Sequence, residues 1–307
     1  MEVTPKPIAP GGTLAAVSPA GPIGRDELDS GIAAMEKFGF TIDVSPHALD
    51  SGEYLAGSDA DRAADLIEAF ANDRFDGILC TRGGYGTMRI LPHLDWERIA
   101  QHPKPFIGFS DVSALQQALW KKNGLVTFSG PQLARGFGGG LDAFSSTRWL
   151  EMLQGKAWGT PLPMPEGDSL TPVVSGVESG PLFGGNLAVL AALCGTDWAP
   201  RFLGGIVILE EIDEPPYRID RMLTQLLMSG AFEGVKAILL GRFDQHVQGE
   251  KLDRTTTAVS VLREALPAIP LATGAPYGHV GPTWTLPIGA WATLNVDGGN
   301  LTVEPAR

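Results

Sequence analysis

The sequence predicts a two-domain α/β protein whose first half is built on a parallel sheet. Short apolar runs alternate with helix-period segments from the start, the pattern of successive βαβ units. The runs DGILC and PFIGF are continuously apolar, as strands covered on both faces require. The length of 307 residues is about twice the roughly 150 residues of a typical domain.

TLAAV, from Thr13 to Val17, reads as the first strand and runs into the turn Ser18-Pro19-Ala20-Gly21. From Arg25 to Phe38 a helical spacing sets Leu28, Ile32, Met35 and Phe38 on one face, after which FTIDV returns to a strand. Asp59 to Ala71 repeats the helical pattern, and DGILC and PFIGF follow as strands. GTPLPMPEGDSLT keeps neither period and carries three prolines and two glycines, so the domain linker is placed there. The expected division is a first domain over 1–158, a linker over 159–172 and a second domain over 173–307. That second half offers a glycine-opened helix GGNLAVLAALCG, a strand GGIVILE and a helix YRIDRMLTQLLMSG. A strand VKAILL, a helix from Thr255 to Ala265 and a strand-rich, antiparallel end in WATLNV and LTVEP complete it.

Composition narrows the function. With 44% hydrophobic and 19% charged residues the chain can bury a large core, which excludes general disorder. Acidic residues outnumber basic ones 35 to 23, a net charge of −12, which repels phosphate backbones and anionic lipid. No nucleic acid is expected as a partner. No membrane association is expected either, since no run reaches the 18 or so apolar residues of a membrane helix. MEVTPKPIAPGG lacks the basic start and apolar stretch of a secretory signal, so a cytoplasmic protein is expected. Cys80 and Cys194 sit in apolar segments without metal-ligand spacing and read as buried thiols.

Four turns carry residues capable of chemistry. In PFIGFSDVSAL a buried strand ends at Phe109 and a helix begins near Asp111, leaving Ser110 on the corner. That is the place of a nucleophile elbow, with the Asp111 amide at the helix start able to donate to an oxyanion. It is equally the place of an N-cap serine, and Val112 stands where G-x-S-x-G has its second glycine. TRGGYG, from Thr81 to Gly86, lets the backbone turn with exposed amides, so Gly84 is a candidate second oxyanion donor. Arg82 there reads as a carboxylate clamp or as a surface arginine. The strand IVILE ends in Glu210 and Glu211, followed by Asp213 and Glu214. One of these carboxylates could orient a histidine, several could hold a cation, or all could be solvated. His279 lies in GAPYGHVGPTWTLPIG, whose glycines and prolines fix an irregular backbone. The other histidines, His47, His93 and His102, lie in proline-flanked loops, and His246 follows a strand. No cofactor or resident metal is expected: the five histidines form neither H-x-H nor H-E-x-x-H, and TRGGYG fits neither the dinucleotide nor the Walker pattern.

A serine at an elbow, an acid at a strand end and a histidine in a rigid loop are the three parts of acyl-transfer catalysis. SPAG, TRGGYG, PFIGFSDVSAL, GGNLAVLAALCGT, ILEEIDEPPYRIDR and YGHVGPTWTLPIG, in that order, resemble the L,D-carboxypeptidases, or muramoyltetrapeptide carboxypeptidases, a serine peptidase family that includes the microcin C immunity peptidases. The resemblance implies an N-terminal domain like class I glutamine amidotransferases, flavodoxin-like in layout, and a smaller swivelling β/α C-terminal domain. It implies Ser110 as nucleophile, Glu210 as acid and His279 as base, meeting between the domains, with the Asp111 and Gly84 amides as oxyanion donors. Glu211 departs from the aspartate usual after the catalytic glutamate, so the choice between Glu210 and Glu211 rests on the alignment of Glu210 with the strand end. The implied substrate is a murein tetrapeptide, cut between an L-centre and a terminal D-alanine during cell-wall recycling; within the same family the alternative is a peptidyl or aminoacyl nucleotide antibiotic. A homodimer is also implied. The competing readings are a ligand-binding protein whose Ser110 only caps a helix, and a Cys80 nucleophile in the manner of glutamine amidotransferases.

Overall fold

A computed structural model describes residues 2–305. The chain divides into two compact units, one running to Lys156 and taking in Thr285–Pro287, the other holding Ala157–Trp284 and continuing from Ile288.

The first unit alternates strands β1 (Thr13–Val17), β2 (Thr41–Val44), β3 (Gly77–Cys80), β4 (Phe106–Gly108) and β5 (Thr127–Ser129) with helices. The helices are α1 (Arg25–Lys37), α2 (Asp59–Ala71), α3 (Thr87–Ile90), α4 (Trp96–Gln101), α5 (Ser113–Asn123) and α6 (Ala143–Leu153). Parallel pairing runs β2-β1-β3-β4-β5, and a late strand β12 (Leu286–Ile288) lies beside β5. This is the doubly wound order of the flavodoxin-like fold, whose ligands bind beyond the strand carboxyl ends where the order reverses. Here that switch point lies between β1 and β3, so the turn from Ser18 and the turn from Thr81 flank it.

Local chemistry explains the elements. Ser58 accepts from the Asp61 amide at 3.1 Å to start α2, and Asp142 accepts from Ser145 at 2.9 Å to start α6. Leu28 and Met35 of α1 are buried, whereas Phe38 falls just past the helix end and stays 38% exposed. Phe38 packs edge-on against Phe137, ring centroids 5.7 Å apart, and Gly31 faces the same segment, where a side chain would stand 2.6 Å from the Leu133 carbonyl oxygen.

The second unit contains β6 (Thr171–Val174), β7 (Val177–Asn186), α7 (Leu187–Ala192), β8 (Ile206–Ile212), α8 (Pro216–Met228), β9 (Ala237–Val247) and β10 (Glu250–Asp253). After them come α9 (Thr255–Ala265), β11 (Leu271–Thr273), β13 (Trp291–Asn295) and β14 (Asn300–Val303). Its sheet has the order β14-β13-β7-β8-β9-β11-β6, with β10 on β9. The centre, β7-β8-β9-β11, is parallel, while β13, β14 and β6 pair antiparallel at the flanks. The proline-rich segment runs along β14: Gly159 donates to Val303 at 2.7 Å and Leu162 to Leu301 at 2.8 Å.

Two sequence readings change. The glycines of GGNL do not open a helix but end the ten-residue β7, leaving α7 only six residues. Cys194 is half-buried, its sulfur 3.5 Å from Ser229 Oγ, whereas Cys80 is fully buried. At Gly184, with φ of +127°, a Cβ would lie 1.7 Å from the Ile208 carbonyl oxygen, so β7 and β8 approach as only glycine permits. Gly184→Ala is therefore expected to lower stability by roughly 3 kcal/mol or more. Gly195→Ala, where φ is +86° but nothing lies within 4 Å, should cost only about 1–2 kcal/mol. Urea denaturation of both variants checks the difference.

Candidate active site

Ser110 follows β4 with a φ of +66°, a left-handed conformation that a non-glycine residue adopts only where surrounding structure imposes it. A 3-10 turn, Ser110–Val112, leads directly into α5. The turn is tight because position 108 is glycine: a Cβ there would meet Val112 Cγ1 at 2.3 Å. Val112, in the place of the second elbow glycine, is fully buried against that gap. This is a sharp strand-to-helix corner with a serine at its apex.

The glycine turn after β3 packs on that corner. A Cβ at Gly83 would stand 2.9 Å from Ser110 Cβ and 3.2 Å from its Oγ. Gly84 has a φ of +112°, and the Gly21 amide donates to the Gly83 carbonyl at 3.1 Å. Asp111 is buried, and its carboxylate accepts from the Thr87 amide at 2.9 Å. Burial pushes its pKa up against the amide hydrogen bonds that pull it down. The buried Arg62 donates to the carbonyls of Pro19 and Gly86 and pairs with Asp59. The two switch-point turns and the serine corner thus form one hydrogen-bonded block. Arg82 is part of it: Nη1 donates to Pro22 at 3.1 Å. Desolvation, then the nearby Arg135, lowers its pKa.

The second unit brings Glu210 and His279 together. Nδ1 of His279 lies 2.8 Å from Oε2 of Glu210, whose side chain is 0% exposed. Desolvation would lower the imidazole's pKa, but the charge and hydrogen bond of Glu210, with smaller effects from Glu211 and Asp213, outweigh it and raise it above 6.5. The histidine loop is docked on β9. Arg242 donates its amide to the Tyr277 carbonyl at 2.8 Å, and Ala275 donates to Leu240 at 3.2 Å. A Cβ at Gly241 would lie 2.2 Å from the Tyr277 oxygen, so glycine is required for that docking. Past the histidine, the buried Trp284 donates Nε1 to Pro163 at 2.7 Å.

Asn186 is a site residue that the sequence reading missed. It pairs in register with Glu210 across β7 and β8, and its Nδ2 donates to Glu210 Oε1 at 3.1 Å and Glu211 Oε1 at 3.2 Å. Its Oδ1 accepts from Val189 at 3.1 Å as the cap of α7. An asparagine followed by an apolar helical run was the available signal. Nearby, Asp213, with φ of +60°, accepts from the His246 amide and meets its Nδ1, both at 2.8 Å. His246 lies within β9, not after a strand.

Elsewhere, burial raises the Cys80 thiol pKa well above its ordinary value, which disfavours the reactive thiolate. Among the described residues one trio, His47, Asp50 and Asp61, gathers metal-ligand types. It is half-exposed, and His47 Nδ1 already meets Asp50 at 2.8 Å.

Sequence comparison decides the family. The LD-carboxypeptidase N-terminal domain profile matches residues 14–130 and the C-terminal domain profile matches 179–294. The chain belongs to the LD-carboxypeptidase family. A Streptomyces coelicolor protein to which carboxypeptidase activity is provisionally ascribed is 39% identical over 98% of this chain and 96% of its own. The murein tetrapeptide carboxypeptidase of Pseudomonas aeruginosa is 34% identical over 92% and 93%. Among solved structures, the Oxalobacter formigenes muramoyltetrapeptide carboxypeptidase superposes with a TM-score of 0.80 at 32% identity, covering 96% of this chain and all of that one. The LD-carboxypeptidase fold, a parallel α/β unit followed by a second mixed unit, is therefore the architecture of this chain.

Because Gly83 touches the serine, its replacement probes the corner alone. Gly83→Ala should slow labelling of Ser110 by a fluorophosphonate about 100-fold, the cost of roughly 1 Å of displacement. The melting temperature should hardly change. An unchanged labelling rate would remove Gly83 from the support of the Ser110 corner.

Proposed function

We propose that this LD-carboxypeptidase family member is a serine peptidase in which Ser110, His279 and Glu210 act as one catalytic unit. The observation that carries the reading is the left-handed Ser110 corner in a chain that also holds an imidazole fixed by a fully buried carboxylate. His279 takes the Ser110 proton as the hydroxyl attacks a peptide carbonyl, and Glu210 stabilises the imidazolium that forms. The amides of Asp111 and Gly84 stabilise the oxyanion. His279 then returns the proton to the leaving amine, and water hydrolyses the acyl-enzyme.

The proposed bond joins an L-centre to a terminal D-alanine in a murein tetrapeptide recycled in the cytoplasm. The murein tetrapeptide carboxypeptidase of P. aeruginosa, 34% identical, supports this choice, and no helix among the described residues is long and apolar enough to cross a membrane. A peptide carrying carboxylates approaches against a net charge of −12, so recognition needs a local cation. Arg82, beside the glycine turn, is the proposed partner of the terminal carboxylate. The second reading is cleavage of an aminoacyl nucleotide. It is favoured by the microcin C7 self-immunity protein MccF solved with aspartyl sulfamoyl adenosine, which superposes with a TM-score of 0.90 at 26% identity over 99% of both chains.

Mass spectrometry of a purified muropeptide tetrapeptide should record loss of one alanine on incubation with the protein. Ser110→Ala should lose on the order of 10⁶ in turnover. Near-full activity in that variant would end the serine mechanism, and cleavage of an aminoacyl sulfamoyl nucleotide alone would transfer the assignment to the second reading. Arg82→Lys keeps the charge but not the bidentate fork, so KM should rise with little change in kcat. An unchanged KM would reject the clamp.

A further inference from the structure

Glu211 is a buried carboxyl at this site, 5% exposed, to which the proposed reaction assigns no step. Its Oε2 accepts from the Ala188 amide at 2.7 Å, and its Oε1 accepts from its neighbour Ile212 at 2.9 Å and from Asn186 at 3.2 Å. The Asn186 amide cannot flip without losing the Val189 donor from its oxygen, so its NH₂ group stays between Glu210 and Glu211. Two buried carboxylates therefore share one amide, and only Glu210 also meets the imidazole.

We propose that Glu211 is a positioning residue: through the shared Asn186 amide it holds Glu210 against His279 and sets how tightly the imidazole keeps its proton. The proposal rests on the reading of His279 as the general base.

The electrostatics have one direction. Burial, and then the Glu210 charge, push the Glu211 pKa up to about 7. The carboxylates facing His279 are Glu210, Glu211 and Asp213, all of which raise its pKa. Asp213 is paired with His246, and Arg242, packed against Gly278, is paired with Asp168. Ionised Glu211 makes His279 more basic. Once Glu211 takes up a proton as pH falls, that contribution disappears and the imidazole gives up its own proton more readily. The two groups thus titrate as a coupled pair whose apparent values belong to both. The Glu211 contribution to stability is complete below 4.5, its ordinary value, and is lost as pH rises through about 7.

The test follows the His279 imidazole by NMR in the intact protein without substrate. In the unaltered chain the His279 titration should be wider than a one-proton curve. Glu211→Gln, fixed in the neutral state, should give a simple curve displaced about one unit to lower pH. The acid limb of kcat/KM should move the same way. Glu211→Asp keeps the charge and should leave the midpoint near that of the unaltered chain. Glutamine offers one acceptor oxygen where the Ala188 and Ile212 amides use two, so the unaltered curve and the Asp variant stand even if the Gln variant does not fold. A one-proton curve in the unaltered chain, or Gln and Asp variants with the same midpoint, would overturn the proposal. Coupled titration without hydrolysis of any peptide would instead remove the serine-peptidase reading and leave the coupling in place.

Discussion

A carboxylate with no solvent exposure dominates the second unit. An isolated buried charge is costly, and a native structure keeps one only where partners compensate it. For Glu210 those partners come from both sides of the chain: Asn186 from the end of β7, and His279 from a loop that follows β11. Each needs a close backbone approach. Gly184 brings β7 against β8, and Gly241 lets the histidine loop lie on β9. Between Leu209 and Glu211 the β8–β9 register slips, and such irregularities re-aim side chains at strand ends. The sheet geometry, the glycines and the docked loop are thus a single arrangement around one charge.

The first unit solves a different problem. Its serine must be held in a backbone conformation that serine does not favour, and the surrounding turns supply the constraint. Gly108 allows the corner to close, Gly83 fills the space against the serine, and the Asp111 and Arg62 side chains bind the amides and carbonyls of neighbouring turns. The doubly wound strand order brings these turns to one end of the sheet. The polar groups inside this unit connect segments far apart in sequence. Arg62 joins Pro19 to Gly86, which makes the glycine turn rigid without regular secondary structure.

Much of this architecture is legible in the sequence, since apolar runs and helix-period segments record burial directly. Helix α2 spans Asp59–Ala71, the stretch the pattern marks, and α9 spans Thr255–Ala265 likewise. Where glycine sits inside a strand, the signal fails: Gly184 and Gly185 make the end of β7 look like a helix entrance. The same misreading hides Asn186, whose importance lies in its register with Glu210 and not in any local spacing. Ser110 and His279 are conspicuous as residue types in turns and loops, and Glu210 as a carboxylate inside an otherwise apolar strand; only the resemblance of the surrounding motifs groups the three as candidates. Proximity is what no local pattern carries. Glu210 and His279 are 69 positions apart, and Glu211 acts through the side-chain amide of Asn186 at the end of β7, which no spacing would suggest. Phe38 is a smaller case of the same kind: the period extends one residue beyond the helix, to a ring that packs on Phe137 and stays partly exposed.

One topological detail bears on how this chain can be divided. Strand β12 belongs to the first sheet, beside β5, although almost all of the second unit precedes it in sequence. A fragment cut after Lys156 therefore lacks its terminal strand and leaves the β5 backbone as a bare edge, the kind of template on which other chains add by hydrogen bonding. Domain borders drawn on the linear sequence would yield an adhesive, incomplete half. A soluble first unit calls for grafting the Thr285–Pro287 segment back, by permutation or by supplying it as a peptide.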